Sequence, residues 1–517
     1  MGHWLIMPVL LPMLAAILAL LATRMSPVVE RGISLASMLA LLFIAIALLN
    51  TSLRGEYQVY AVGDWVAPFG IVLVLDRFSA LMVLLTTVLA LFSLVYAMNG
   101  QDRDGRHFHV LFHMQLMGLN GAFLTGDLFN LFVFFEILLI ASYGLLLHGG
   151  GPLRGRAGLH YVILNLAGSA LFLIAVGTLY AMLGTLNMAD LAVKVAQANP
   201  EQLRLVHVSG LLLLVVFGLK AALLPLYFWL PGAYSAASAP VAALFAIMTK
   251  VGVYSIIRVF MLIFGIEAGA LANVAQPWLL PLGLITLALG TFGVLASRCL
   301  RRQVAYLVVV SVGTLIAAVG LLSVESMAAS LYYLIHSTFI TGGLFLLADA
   351  IARQRGAVGS ELLTGPTVSQ PLLLSTLFFI GAMAVAGLPP LSGFIGKLLL
   401  LQSAIHHPAH PSWAWFWSVI LIASFFALIA LSRSGSALFF KTDDSAVTGV
   451  RIERISLLAV VALLLTSPLL AFYGTAVSEF TTATAEQLMQ PMYYIEGVLG
   501  PQPGPEIVQA VTVEEMQ

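Results

Sequence analysis

The sequence predicts an all-α polytopic membrane protein, and three observations carry that reading. Of 517 residues, 61% are hydrophobic. Only 9% are charged, against roughly 25% in ordinary soluble domains. The apolar residues fall in long runs, not in the alternating segments of about ten that a β-barrel would show. Mean hydropathy is +1.02, which excludes a cytosolic enzyme, since a soluble chain of this size needs a charged surface. The single cysteine, Cys299, excludes a disulfide-stapled secreted protein. Lys+Arg and Asp+Glu both number 23, so no basic excess points to nucleic acid.

A membrane-crossing helix needs about 20 mostly apolar residues, and reading for such runs gives about fourteen spans. Their limits lie at about 4–23, 31–50, 71–98, 108–125, 128–148, 158–183, 206–224, 240–265, 276–297, 302–322, 326–350, 371–406, 413–440 and 454–477. Met1-Gly2-His3 carries no basic segment ahead of the first run, so that run reads as a retained span. Arg24 and Arg31 flank the first loop, and Arg103, Arg106, Arg154 and Arg156 lie in the third and fifth. Arg298, Arg301, Arg302, Arg353, Arg355, Arg433, Lys441, Arg451 and Arg454 lie in or beside the ninth, eleventh and thirteenth. The even-numbered loops hold only Arg54, Lys194 and Arg204. The positive-inside rule then makes the odd loops cytoplasmic and turns both termini outward, in keeping with the acidic tail of Glu506, Glu514 and Glu515.

Five basic residues remain inside apolar runs: Arg77, Lys220, Lys250, Arg258 and Lys397. So do Asp76, Glu136 and Asp349, while Asp127 sits at the turn before the fifth span. A charge at the bilayer centre costs about 2.5–3.5 kcal/mol on insertion scales, so such residues face other helices or water and mark function. Glu136 has no basic residue near it on its own helix, and its partner must come from another. Lys220 precedes Pro225 and Pro231, which remove backbone donors and predict a helix broken just after the lysine. Lys397 follows Gly387-Leu-Pro-Pro-Leu-Ser-Gly, which predicts a second broken helix with the order reversed. Interrupted helices at corresponding places in two halves mark ion sites in transporters. Lys250 reads as part of the same buried set. His336 suits a proton relay by its ordinary pKa of about 6.5, or is a neutral core histidine. Arg258 anchors at an interface, and Asp76 with Arg77 forms a local ion pair. His107, His109 and His113 do not fall on one helical face, which argues against a metal site there. No phosphate loop, CxxC pair or nucleophile elbow occurs, and no cofactor is implied.

Three stretches carry a family resemblance: Thr125-Gly-Asp-Leu-Phe-Asn-Leu-Phe-Val-Phe-Phe-Glu136, Gly218-Leu-Lys220-Ala-Ala-Leu-Leu-Pro-Leu-Tyr-Phe-Trp-Leu-Pro231, and Gly387-Leu-Pro-Pro-Leu-Ser-Gly-Phe-Ile-Gly-Lys397. With Lys250-Val-Gly-Val-Tyr they resemble the antiporter-like subunits shared by complex I and the Mrp (Mnh, Pha) cation/proton antiporters, most of all the D-type antiporter subunits. The resemblance implies two inverted five-helix repeats with broken seventh and twelfth spans. The chain would divide into 1–107, an N-terminal three-helix segment; 108–265 and 266–440, the two repeats; and 441–517, the last span and an extracytoplasmic tail. It implies that Glu136 and Lys220 form a coupling pair, that Lys250 and His336 continue a hydrated relay, and that Lys397 lies in the second half-channel. It implies a hetero-oligomer with A, B, C, E, F and G type subunits in the bacterial plasma membrane, moving H+ against Na+ or K+. Where several relatives carry a lysine in span eleven, this chain reads His336-Ser-Thr-Phe-Ile-Thr341, so the relay would lean on hydroxyls such as Ser337 and Thr341. Two rivals stand beside this reading: a proton-pumping subunit of complex I or a membrane-bound hydrogenase, and a scaffold whose charges only hold helices together.

Overall fold

The computed structural model describes residues 3–65, 67–405, 412–443 and 451–501. The acidic tail residues Glu506, Glu514 and Glu515 lie outside them. The described residues are mostly helical, 79%. In order come α1 (Met7–Ala22), α2 (Pro27–Ser52), a β1–β2 hairpin (Gln58–Ala61 and Val72–Leu75), α3 (Arg77–Ala97), α4 (Phe108–Leu124), α5 (Leu128–Leu147) and α6 (Pro152–Leu183). Then follow α7 (Met188–Ala196), α8 (Pro200–Ala221), α9 (Trp229–Ala236), α10 (Ala239–Leu262), α11 (Gln276–Ala296), α12 (Leu300–Val319) and α13 (Val324–Gln354). The second half continues with β3 (Gly365–Pro366), α14 (Pro371–Ala386), α15 (Ser392–Ile405), α16 (Ser412–Phe439), β4 (Thr442–Asp443), α17 (Arg454–Phe472), α18 (Gly474–Leu488) and α19 (Pro491–Leu499). Among the described residues, eleven helices are long and apolar enough to cross a membrane, and α1, α14 and α15 are shorter apolar helices. This is a multi-pass membrane protein.

Local chemistry sets the helix ends. Ser26 accepts from the Val28 amide with Pro27 in the first turn of α2, Asp76 and Ser79 make a reciprocal cap on α3, and Asp127 accepts from the Asn130 amide at the start of α5. The apolar stretches differ sharply in burial. The most apolar windows of α10 and α13 are 100% buried, whereas those of α2 and α6 are 39% buried and those of α16 and α17 33%. α10 and α13 are therefore the axis of the bundle. Leu159, Ile163, Leu166 and Ile174 of α6 are exposed in a stripe that suits lipid or another apolar surface.

The two ends of the bundle are laced separately. At one end Arg31 donates two hydrogen bonds of 2.6 Å to Asp102, His148 meets the Gln101 carbonyl, and Gln101 donates to Asp349. Arg301 also bonds Asp349, Leu300 bonds Ser360, β3 pairs with β4, and the Ile452 amide donates to Gln370. The odd-numbered loops of the sequence thus share one end. At the other end the turn at Gly126 bonds to Val72 of β2 and to Met188 of α7, and Gln487 of α18 ties to Arg77 and Tyr57.

Two sequence expectations are corrected here. Asp76 does not pair with Arg77. Adjacent residues on a helix do not face one another. The Asp76 carboxylate turns inward to Arg258 (2.6 Å), while Arg77 bonds the carbonyls of Ser52 and Leu53. Arg258 is not an exposed anchor: it is 5% exposed and ringed by Phe78, Tyr254 and Tyr494. Tyr494 arrives from the segment beyond α17, where α18 and α19 pack back onto the bundle.

Candidate functional site

The site begins in α5. Glu136 lies two turns into that helix and points to α6, where Ser169 donates a hydrogen bond to its Oε1. The same Ser169 hydroxyl accepts from Lys220 Nζ at 3.3 Å, and Lys220 also donates to the Asn165 carbonyl, one turn earlier on α6. Glu136 and Lys220 are therefore joined through a serine rather than in a direct ion pair. The Phe135 ring lies 5.8 Å from the ammonium. Gly168 lets α8 come this close, since a Cβ there would strike Leu219.

The break predicted after Lys220 is present. α8 ends at Ala221, and Ala222 takes a left-handed conformation (φ 63°). The Leu219 carbonyl accepts from the Ala222 amide and from Trp229 Nε1, the first residue of α9. The Leu224 amide in the gap donates to Thr286 of α11. Freed backbone groups thus find partners inside the protein, as membrane depth demands. α10 packs against this broken end: a Cβ on Gly252 would strike the backbone of Ala221.

Lys250 of α10 is fully buried and donates to Ser311 of α12 at 2.6 Å. Ser311 lines an internal cavity of about 30 Å³, together with Thr314, His336, Ser337, Thr341, Lys397 and Ser424. That volume holds about two waters beside polar partners. Ser337 and Thr341, the hydroxyls expected to serve where the span-eleven lysine is missing, both face it. His336 Nδ1 meets Ser392 Oγ at 2.7 Å, and Ser392 meets Ser467 at 2.9 Å.

The second break separates α14 from α15 at Gly387 (φ +83°). Lys397 of α15 reaches back across it. Its ammonium donates to the carbonyls of Val385 (2.8 Å) and Ala386 (3.0 Å) and to Ser424 of α16 (2.8 Å). Gly393 allows the turn, since a Cβ there would strike the Ala384 carbonyl.

The five expected residues thus fall in two groups: Glu136, Ser169 and Lys220 in the first, and Lys250, Ser311 and the cavity with His336 and Lys397 in the second. No direct contact links Lys220 to Lys250 among the hydrogen bonds described. Sequence reading missed Ser169, Asn165, Ser311, Ser392 and Ser424. The only signal was a hydroxyl or amide within an apolar helix, which also occurs where serine merely bonds its own backbone, as Ser255 does. Two other acids are occupied elsewhere. Asp349 is held by Tyr96, Gln101, Arg301 and Arg353, and Asp127 caps α5. Among the described residues, no group of three or more His, Cys, Asp or Glu side chains is placed to hold a metal ion.

Comparison with known proteins agrees with this geometry. Residues 125–427 match the family described as NADH:quinone oxidoreductase/Mrp antiporter, transmembrane. The chain is 42% identical to the D subunit of a probable K(+)/H(+) antiporter of Rhizobium meliloti, over 96% of this chain and 98% of that one. It is 38% identical to the D subunit of the Na(+)/H(+) antiporter of Bacillus subtilis, over 96% and 100%. A chain in the structure of the Mrp complex from Dietzia superposes with a TM-score of 0.85 at 27% identity, covering 97% of this chain and 100% of that one. The chain belongs to the NADH:quinone oxidoreductase/Mrp antiporter transmembrane family, among its antiporter D subunits.

Proposed function

We infer that this chain is the proton-translocating subunit of a multisubunit monovalent cation/proton antiporter, in which Na+ or K+ efflux is coupled to H+ uptake. The observation that carries this reading is the pair of hydroxyl-bridged groups of ionisable side chains inside the bundle, Glu136 with Lys220 through Ser169, and Lys250 with the Ser311-lined cavity that His336 and Lys397 share. Charged groups at membrane depth are costly and are kept where they move ions. Glu136 acts on Lys220 through Ser169, and its ionisation sets the proton affinity of that lysine, because opposite charges interact strongly at low dielectric. A proton passes by way of Lys250, the cavity waters and His336 to Lys397.

The architecture accommodates this. Counting α1, α4 and the interrupted α14–α15 pair once each with the eleven long helices gives about fourteen crossings. α4 to α10 form the first repeat (108–265) and α11 to α16 the second (266–440), each with one broken helix. Residues 1–107 form a three-helix segment in front, and 441–517 a last span with an extracytoplasmic tail. The basic loops face the cytoplasm, and both termini lie outside, in a bacterial plasma membrane. The partners are the A, B, C, E, F and G type subunits, through which cation export is coupled to proton uptake.

The test uses everted vesicles from cells lacking their own Na+/H+ antiporters, with the chain expressed beside its native neighbouring genes. A dye reports the pH gradient as Na+ or K+ is added. Collapse of the gradient in wild type, lost in Glu136→Ala with assembly intact, is expected. An assembled wild-type complex with no cation response overturns the reading in favour of a redox-driven pump. Loss of assembly in Glu136→Ala makes that residue structural.

A further inference from the structure

The bundle contains a second polar feature away from the Glu136–Lys397 line. At the end bearing the basic loops, a vestibule of about 390 Å³ opens between the start of α2 and the start of α4. Its lining includes Asp102 and His109. His109 Nε2 lies 3.2 Å from Asp102, which is fixed by Arg31, and His109 Nδ1 is buried without a partner. One turn deeper on the same face of α4 is His113, with none of its surface exposed. Neither of its ring nitrogens has a hydrogen-bond partner in the protein. The hydroxyls of Ser34 and Ser37, one and two turns beyond Arg31 on α2, are also buried and unpaired. α2 and α4 both run away from this end, and Asp102 holds one residue of each. The unpaired groups therefore lie at similar depth, about 5–9 Å below the vestibule floor at 1.5 Å per residue.

Burying an unpaired polar group is costly, and several together are not retained for packing. An apolar residue would fill the His113 site at less cost. Deeper on this face of α4 Leu116 is buried, and Asn120 donates its amide to the Pro8 carbonyl, which Pro12 leaves free.

We propose that His109 and His113 form a proton-loading site, fed from this vestibule and separate from the buried lysine line. With Nε2–H donating to Asp102, a proton taken up at His109 Nδ1 makes the ring an imidazolium. Released from Nδ1, it passes through water to a bare nitrogen of His113. His109 is returned neutral, one proton has moved, and no bond between heavy atoms changes. The charged and titratable groups at the vestibule are Glu30 and Arg31 of α2 and Asp102, Arg103, Arg106 and His107 of the loop, with His148 at the end of α5 bonded to the Gln101 carbonyl. α1 carries no ionisable side chain, Tyr96 of α3 is engaged by Asp349, and Glu136 of α5 faces α6. The inference rests on the proton-translocation reading above.

The test measures cation-driven proton movement in everted vesicles, where the buffer bathes the basic-loop face, for wild type, His113→Leu and His113→Gln across a range of pH. Assembly is followed by co-purification of the other subunits. The expected result is assembled complexes whose rate falls at least tenfold and whose pH dependence is displaced. His113→Leu with wild-type rate and pH profile overturns the proposal. If His113→Leu fails to assemble, His113→Gln decides, because it keeps polarity but does not titrate: a wild-type profile there also overturns it. Absence of cation response in wild type would instead strike the antiporter reading itself.

Discussion

Ser169→Ala isolates the bridge between Glu136 and Lys220. The change removes one hydroxyl from the middle of α6 and puts in the best helix former, so the helix itself is not disturbed. What is lost is a hydrogen bond to the Glu136 carboxylate and an acceptor for the Lys220 ammonium. Hydrogen bonds to charged groups contribute about 1.5–3 kcal/mol each. Losing the coupling through one of them weakens it by a factor of about ten to a hundred, at 1.4 kcal/mol per tenfold. Initial rates of cation-driven collapse of the pH gradient in everted vesicles give the readout, normalised to assembled complex. Ser169→Thr keeps the hydroxyl and should retain most of the rate. In a Glu136→Gln background the alanine should add little, because both changes act on the same bridge. Wild-type turnover in Ser169→Ala would refute the reasoning and leave the Glu136–Lys220 proximity without a coupling role.

Three further outcomes are expected. Arg258→Ala leaves Asp76 charged and buried, and should cost about 3–5 kcal/mol, read as lower thermal stability of the purified complex; adding Asp76→Asn should restore part of it. Ser392→Ala cuts His336 from Ser467 and should slow proton movement several-fold without loss of assembly, since the residue sits in the first turn of α15. Asp102 lies outside the spans. Burial raises its pKa, but hydrogen bonds from His109 and Arg31 outweigh this and bring it from 3.8 down to about 2. Its folded value is below its unfolded one, so its contribution of about 2 kcal/mol is present at neutral pH and fades as pH falls from about 4 towards 2. The stability gap between wild type and Asp102→Asn, followed by thermal denaturation, should therefore be widest at pH 7 and narrow on acidification.

The long apolar helices and the two breaks were legible because they rest on local rules. Hydropathy marks a helix that must cross lipid, and proline and glycine mark where it must stop, as after Lys220 and around Gly387. Glu136 and the lysines were legible because charge at depth is expensive whatever surrounds it. What each charge touches was not legible. Ser169, Ser311 and Ser424 gain meaning only when α6, α12 and α16 come alongside the lysines, and that is a matter of packing between helices distant in sequence. The Asp76 partner was misread for the same reason: Arg77 is adjacent in the chain, whereas Arg258 is adjacent in space. The short helices α7, α18 and α19 escaped a search for long apolar runs, because they lie against the bundle end rather than through it.

The two broken helices place their lysines on opposite sides of the gap, and the two ammonium groups find different surroundings. Lys220 belongs to the last turn of α8 but gives its ammonium to Asn165 and Ser169 of α6, whereas Lys397 folds back onto the last carbonyls of α14. The carbonyl end of a helix carries about half a negative elementary charge. Lys397 is therefore held in part by a field fixed in the backbone, whereas the surroundings of Lys220 depend on the side chains of Ser169 and Glu136. A single substitution can retune the first lysine, but the second keeps its carbonyl partners unless the break itself is rebuilt.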